Sequence, residues 1–209
     1  MTLPFDHVVD AAQLADLYRQ PNDLTQRKVI DYLDEGCKSF LAASPYVLIG
    51  SSSTDGKADV SPKGGPYGFV KALDEHRLAI PDLSGNNLLD SIQNIIENPD
   101  VGLLFLIPGR GESLRINGKA YLTTDPAILD SFTDELRRPK AAIGVQVEAA
   151  YLHCAKSIRR SGLWESDRWH DSADSSGKIL KTHMGLDDWS PEDMQARLEA
   201  SYEEDLALD

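Results

Sequence analysis

Residues 80–105, IPDLSGNNLLDSIQNIIENPDVGLLF, constrain the fold more than any other part of the chain. An apolar run ends at Ile80 and Pro81, a serine–glycine turn follows, and apolar residues then recur at helical spacing. Asn86 or Asn87 is placed to cap that helix. The pattern predicts strand, turn, helix and strand. Unpaired N–H groups at such a helix start favour a phosphate or carboxylate, although any ordinary capped helix has the same pattern.

The rest of the middle of the chain reads as short strands joined by tight turns. YVLIGSSS and ADVSPKG flank a hairpin turn at Asp55-Gly56, and further strand pairs are predicted over 69–73 with 77–80 and over 101–108 with 113–124. A last long strand is predicted over 142–154. With one internal helix, this order favours a mainly β fold with peripheral helices, an antiparallel barrel or sandwich, over a doubly wound parallel sheet.

Helical patterns lie mostly outside the strands. They predict helices over residues 11–18, 25–41, 127–136, 156–164 and 190–208, the last capped by Ser190 with Pro191 at its first position. Residues 165–189 are polar and are predicted to be irregular. We therefore expect an N-terminal helical cover over 1–44, a central β domain over 45–164, and an irregular segment with a terminal helix over 165–209.

Charge and composition exclude several classes of function. The chain has 209 residues and a formal net charge of -13, and it lacks the clustered Lys and Arg needed to neutralise nucleic-acid phosphates. No apolar run reaches membrane-spanning length, and the first residues do not resemble a secretory signal. The two cysteines, Cys37 and Cys154, are far apart and suit a reducing compartment. We expect a cytoplasmic protein with no nucleic-acid or membrane partner.

The order of these motifs resembles a known family. The succession of hairpin, SPKG, hairpin, IPDLSGNN helix, ENPDVGLLFLIPG and GESLRINGKAYL is similar to the FMN-binding split β-barrel proteins related to pyridoxamine 5'-phosphate oxidase. The resemblance covers roughly residues 41–164. It implies an antiparallel split β-barrel, a homodimer, and two equivalent FMN sites in the groove between the protomers.

The resemblance also implies which residues would contact the cofactor. One strand would present Ser61, Pro62, Lys63 and Gly64 to the flavin and its phosphate. Ile80, Pro81 and Asp82 match a strand end beneath the ring and ribityl chain, and Asn86 and Asn87 fall at the phosphate. Arg115, Lys156 and Arg159 are candidates for reaching the flavin, including that of the neighbouring subunit.

Two departures from the family argue against vitamin B6 oxidation. Ser61-Pro62-Lys63 stands where pyridoxamine phosphate oxidase has an arginine-led strand motif. The C-terminal sequence SPEDMQARLEASYEEDLALD lacks the basic and aromatic ending that holds pyridoxal phosphate there. The resemblance instead implies an FMN-dependent oxidoreductase that transfers hydride or electrons to or from a small organic substrate.

Other functions stay open at this point. The protein could store or sense flavin without catalysis, use F420 in place of FMN, or bind haem through His153 or His170. No general acid or base stands out. The histidines and acidic residues have no recognised zinc spacing, so no metal site is predicted. GxSxG is absent, which leaves hydrolase chemistry without support.

Overall fold

The computed structural model describes residues 6–170 and 173–207. Its centre is one seven-stranded sheet in the order β2-β1-β5-β6-β7-β4-β3, with every pair antiparallel. The strands are β1 (Tyr46–Ser52), β2 (Ala58–Gly64), β3 (Lys71–Ala72), β4 (Arg77–Pro81), β5 (Asp100–Leu106), β6 (Ser113–Thr123) and β7 (Ala142–His153). The prediction of a mainly β, antiparallel fold with peripheral helices is confirmed.

The sheet is open. Strands β2 and β3 form its two edges, and neither is hydrogen-bonded to the other. Inward and outward residues alternate along β1 and β5, as expected for strands with one face on a core. The finer prediction of a split barrel therefore stays a prediction.

Helices surround this sheet. They are α1 (Leu14–Leu17), α2 (Asp23–Arg27), α3 (Glu35–Ala42), α4 (Asp90–Glu97), α5 (Pro126–Asp130), α6 (Lys156–Ser161), α7 (Ser176–Met184) and α8 (Pro191–Leu206). The start of α8 is confirmed, because the Ser190 side chain accepts a hydrogen bond from the Asp193 backbone N–H. The predicted end of this helix at residue 208 lies outside the described residues.

Two helix predictions are wrong. A single helix over 25–41 does not form, because the backbone of Ile30 exchanges hydrogen bonds with Ala150 of β7 and so leaves the helical path. The Leu33 N–H likewise donates to the Glu75 carbonyl. The segment over 165–189 is not wholly irregular, since α7 is capped by Ser175 and ended by Gly185 in the left-handed conformation. Helices α1, α5 and α6 are shorter than predicted.

The core lies between the inner face of the sheet and helices α3 and α4. Its fully buried members include Ile49, Leu103, Phe105 and Ile116 from the strands, and Leu41 from α3. Burial of one such side chain stabilises the fold by about 1.5–3 kcal/mol. This packing fixes β1 and β5, the two strands next to the edge strand β2 in the sheet. None of the helices in the described ranges has the length and apolarity needed to cross a membrane.

Helices α7 and α8 form a hairpin of their own, which we call the C-terminal hairpin (176–206). They pack on each other, and within the described residues neither makes an extensive contact with a strand. The Gly177 N–H donates to Gln195 Oε1 at 2.9 Å, and Met194 is buried between the helices. The hairpin is therefore held mainly by its own contacts.

Candidate functional site

A cleft of about 240 Å³ lies between β2 and the loop that leads into α4. Strand β2 supplies one wall, and the chain from Asp82 into the first turn of α4 supplies the other. Residues predicted for the cofactor from two separate motifs meet here: Ser61, Pro62, Lys63, Asp82, Asn86 and Asn87. The β1–β2 hairpin and the β4–α4 connection bring them together across the sheet edge.

The charged centre of the cleft is an ion pair. Lys63 Nζ lies 3.4 Å from Asp82 Oδ1, and the two side chains are only 21% and 24% exposed. Partial burial strengthens such a pair relative to a surface one. Any anion that binds Lys63 must therefore compete with the Asp82 carboxylate.

The start of α4 differs from the prediction. Neither Asn86 nor Asn87 caps it: the N-cap residue is Leu89, in the left-handed conformation at φ 59°, and no side chain caps the helix. Asn86 Oδ1 instead accepts a hydrogen bond from the Leu88 N–H at 3.1 Å, which closes a turn one step earlier. The first helical residue, Asp90, lines the cleft.

This uncapped start faces the cleft. Ser91 and Ile92 also line it, so the first turn of α4 presents its positive end to the cavity. Asp90 complements the helix dipole and opposes an incoming anion. Leu88 and Leu89 precede the helix and are exposed; within the helix Ile92 and Ile95 are buried and Ile96 is exposed.

Three of the predicted residues border the cleft without lining it. Ile80 and Pro81 are buried in the sheet, opposite Ile143 and Ala142 of β7. Gly64 ends β2 opposite Tyr46. The side chains of Ile80 and Pro81 therefore support the sheet under Asp82 and are covered by protein.

The predicted basic residues from the end of the chain lie elsewhere. Arg115 lines a cavity of about 500 Å³ on the outer face of the sheet, together with His153 and Ile158. Lys156 and Arg159 are exposed on α6. None of these three cations lines the cleft.

A second cavity adjoins the cleft and contains residues that the sequence analysis did not select. It measures about 230 Å³ and shares Asp82 and Asn87 with the cleft. Arg137, Arg138 and Lys140 line it. The sequence feature that could have identified these residues is the run RRPK at 137–140, which places three cations within four residues in a chain with a net charge of -13.

The three cations differ in their partners. Arg138 Nε lies 2.6 Å from Asp130 Oδ1. Arg137 and Lys140 form no ion pair with any of the described residues. Two positive charges are thus available to an anion in this second cavity.

The two histidines considered for haem are exposed, and neither lines the cleft. His153 lies in the outer-face cavity with Arg115. Over residues 6–170 and 173–207, no group of three or more His, Cys, Asp or Glu side chains is arranged to hold a metal ion. Asp171, one of the acidic residues near His170, lies outside the described residues.

Comparison with known families agrees with the fold. The family model described as pyridoxamine 5'-phosphate oxidase matches residues 33–154, more than half of the chain. The chain therefore belongs to the pyridoxamine 5'-phosphate oxidase family. The match contains all seven strands, α4 and the cation run at 137–140.

Solved structures with a related fold are distant in sequence. HupZ from Group A Streptococcus is 16% identical, with a TM-score of 0.47 over 57% of this chain and 92% of its own. An F420 reductase is 19% identical, with a TM-score of 0.39 over 57% and 98%. An FAD-binding protein from Mesorhizobium loti is 17% identical, with a TM-score of 0.38 over 60% and 98%. No curated protein matches the chain.

Proposed function

We propose that this protein is a homodimeric, cytoplasmic flavoprotein that binds FMN and transfers hydride or electrons between it and a small anionic substrate. Family membership supports a flavin-related function. The observation that carries the proposal is the cleft in which Lys63, Asp82 and the uncapped start of α4 meet. Its walls come from the two segments that resemble the family's cofactor site.

The donors in the cleft fit a phosphorylated flavin. The first-turn N–H groups of α4 and the amides of Asn86 and Asn87 suit phosphate oxygens. Lys63 supplies the positive charge, and Asp82 holds its ammonium group in place through their ion pair. Asp90 lies at the same helix start, so phosphate binding depends on Lys63 to offset that negative charge.

Bound FMN would supply the redox chemistry, and the chain would supply binding, orientation and charge. The cleft lining includes no histidine, cysteine or tyrosine. Because the cleft is open to solvent, we infer that protons reach the reacting atoms from water.

The second cavity indicates the class of substrate. It adjoins the cleft through Asp82 and Asn87 and carries Arg137 and Lys140 without ion-pair partners in the described chain. Such a site favours a small molecule with a carboxylate or phosphate group. The substrate's anionic group would lie here, with its reacting part toward the cleft.

The homodimer is proposed from the outer face of the sheet. Val60 is 64% exposed there, and Leu48, Leu104 and Leu106 line the same apolar cavity. A second copy that covers this face would bury apolar surface. Lys156 and Arg159, exposed on α6 beside it, would then reach toward the partner's cofactor.

The first test is the absorbance spectrum of freshly purified protein, with mass analysis of the molecule that it releases. We then expect Lys63→Gln to raise the Kd of FMN about tenfold, because a charge-assisted contact is lost. Asp82→Asn should lower that Kd about fivefold, because the competing carboxylate is removed. Lys57→Gln is the control, since Lys57 pairs with Asp55 in the exposed hairpin turn.

Equal FMN affinities for all four proteins would contradict the proposed site. A Soret band after reconstitution with haem, removed by His153→Ala, would favour haem as the cofactor. Tighter binding of F420 than of FMN would favour F420 as the cofactor. FMN binding without oxidation of NADH or NADPH or reduction of any anionic acceptor would favour storage. If substrates are found, Arg137→Gln should raise KM for anionic ones and leave the FMN affinity unchanged.

A further inference from the structure

A third cavity, which we call the α3 cavity, lies away from the proposed cofactor site. It has a volume of about 370 Å³ and is bounded by α3, by the segment around Ile30, and by the adjoining ends of β6 and β7. None of its lining residues lines the cleft or the cavity of Arg137 and Lys140. Its apolar floor is formed by Ile30, Leu114, Ala150 and Leu152.

Two cations at the rim are positioned by aromatic rings. Lys28 Nζ lies 5.3 Å from the centroid of the Tyr151 ring and donates to the Leu152 carbonyl at 3.0 Å. Arg110 Cζ lies 5.0 Å from the centroid of the Phe40 ring. Cation–π contacts of this kind hold the side chains in place without neutralising them.

The two cations differ in their carboxylate partners, because Arg110 forms a long ion pair and Lys28 forms none in the described chain. Lys28 forms no ion pair in the described chain, and the nearest carboxylate to Arg110 is Glu112, whose Oε2 is 3.9 Å from Arg110 Nε. One cation without an ion pair and one in a long, half-exposed ion pair therefore lie beside the apolar lining residues. Pre-positioned groups lose less conformational freedom when a ligand binds.

One carboxylate also borders the α3 cavity. Asp34 Oδ1 accepts a hydrogen bond from the Cys37 N–H at 2.7 Å, so this group is engaged in capping α3. Burial raises the pKa of the Cys37 thiol to about 11, which keeps it neutral near pH 7. The lining side chains thus carry two positive charges against one negative charge.

We propose that the α3 cavity binds a small amphipathic carboxylate. The carboxylate lies between Lys28 and Arg110, and an aromatic or branched aliphatic body covers Leu114 and Leu152. The volume suits a ligand of one or two rings, in the range of known small-molecule sites. This site is separate from the flavin cleft, and its occupation does not depend on the flavin proposal.

The experiment is calorimetric titration of the full chain, saturated with FMN, with 2-naphthoate as the probe. Lys28→Gln and Arg110→Gln should each raise the Kd about tenfold, because each removes one charge-assisted contact. Ser39→Phe should abolish 2-naphthoate binding altogether, since Ser39 lines the cavity and the new ring fills it without changing the charge. Neutral 2-naphthylmethanol should bind more weakly than the carboxylate.

Arg137→Gln with Lys140→Gln is the matched control, because it removes two cations from the other anionic cavity. We expect it to leave 2-naphthoate binding unchanged. Loss of binding in this control with retention in Lys28→Gln and Arg110→Gln would overturn the proposal, as would the absence of any binding to the wild-type chain. The same titration without FMN separates the two proposals, because α3-cavity binding persists even if the protein takes no flavin.

Discussion

The sheet and the C-terminal hairpin are built on very different amounts of buried surface. The sheet packs against α3 and α4 around a continuous core that includes Phe105 and Ile116, both fully buried. In α7 and α8, the buried residues are Gly177 and Met194. The proposed cofactor cleft and most of the buried core therefore lie in the sheet, and we expect the hairpin to open without disturbing them.

The strongest test of this difference removes one large side chain from each part. Phe105→Ala should lower the free energy of unfolding of the sheet by about 3–5 kcal/mol, because it leaves a cavity in the core. Met194→Ala should accelerate hydrogen exchange in residues 176–206 and leave exchange in the strands unchanged. Urea unfolding and peptide-resolved hydrogen exchange measure the two effects. A global loss of stability in Met194→Ala would show that hairpin and sheet unfold together.

A smaller effect is expected from adding one methyl group in each part. A Cβ at Gly118 would lie 2.0 Å from the Gln146 carbonyl oxygen, and a Cβ at Gly177 would lie 2.2 Å from the Pro191 carbonyl oxygen. Gly118→Ala should destabilise the sheet by about 1–3 kcal/mol, since strand backbones must shift.

Gly177→Ala has the same steric cause and should separate α7 from α8 only. Alkylation of Cys37, separated from that of the exposed Cys154 by peptide mass analysis, provides the measurement, because the Cys37 thiol is 7% exposed and its raised pKa keeps it a slowly reacting thiol while α3 stays packed on the core. Cys37 should become accessible in Gly118→Ala and stay protected in Gly177→Ala. If Cys37 became accessible in Gly177→Ala and stayed protected in Gly118→Ala, the proposed difference between the sheet and the hairpin would be wrong.

The smallest effect concerns two helix caps. Asp34→Ala and Ser190→Ala each remove the side chain that accepts a free N–H from the third residue of a helix, at a cost of about 1 kcal/mol. The contribution of Asp34 should depend on pH. The Cys37 N–H, donating to the Asp34 carboxylate, holds the pKa of Asp34 below its ordinary value.

The direction in which the stability changes with pH follows from this lowered pKa of Asp34. The Asp34 carboxylate contributes its full stabilisation above its unfolded pKa of about 3.9 and loses it as the pH falls through the lower, folded value. Wild type and Asp34→Ala should therefore converge in stability as the pH falls from neutral through the folded pKa. Exchange of the 176–206 peptides measures the effect of Ser190→Ala. Thermal unfolding across this range would detect a failure to converge.

Local sequence patterns were sufficient to predict much of the sheet. The Asp55-Gly56 turn was predicted from a residue pair that favours positive φ, and Gly56 adopts φ +83°. Alternating apolar residues located β1 and β5, because side chains in a strand with one buried face follow a period of two. Ser190 and Pro191 located the start of α8 for an equally local reason.

The errors arose where distant contacts decide the backbone. Nothing near Ile30 in sequence indicates its pairing with Ala150, 120 residues later, which interrupts the predicted helix. Leu89 has a side chain that fits the helical stripe, yet it adopts φ 59° and ends the turn before α4. Arg137 and Lys140 adjoin the cleft only because the chain before β7 returns beside Asp82, so spacing alone could not select them.

The position of β2 at the sheet edge has a consequence for how a ligand enters. β2 is hydrogen-bonded on one side only, to β1, and it carries Pro62, which has no N–H to offer to another strand. A ligand that binds at Lys63 therefore displaces no backbone hydrogen bond between strands. A strand from another chain that aligned with β2 would find no backbone N–H donor at Pro62. The same proline that keeps the wall of the cleft accessible also discourages the protein from associating edge to edge.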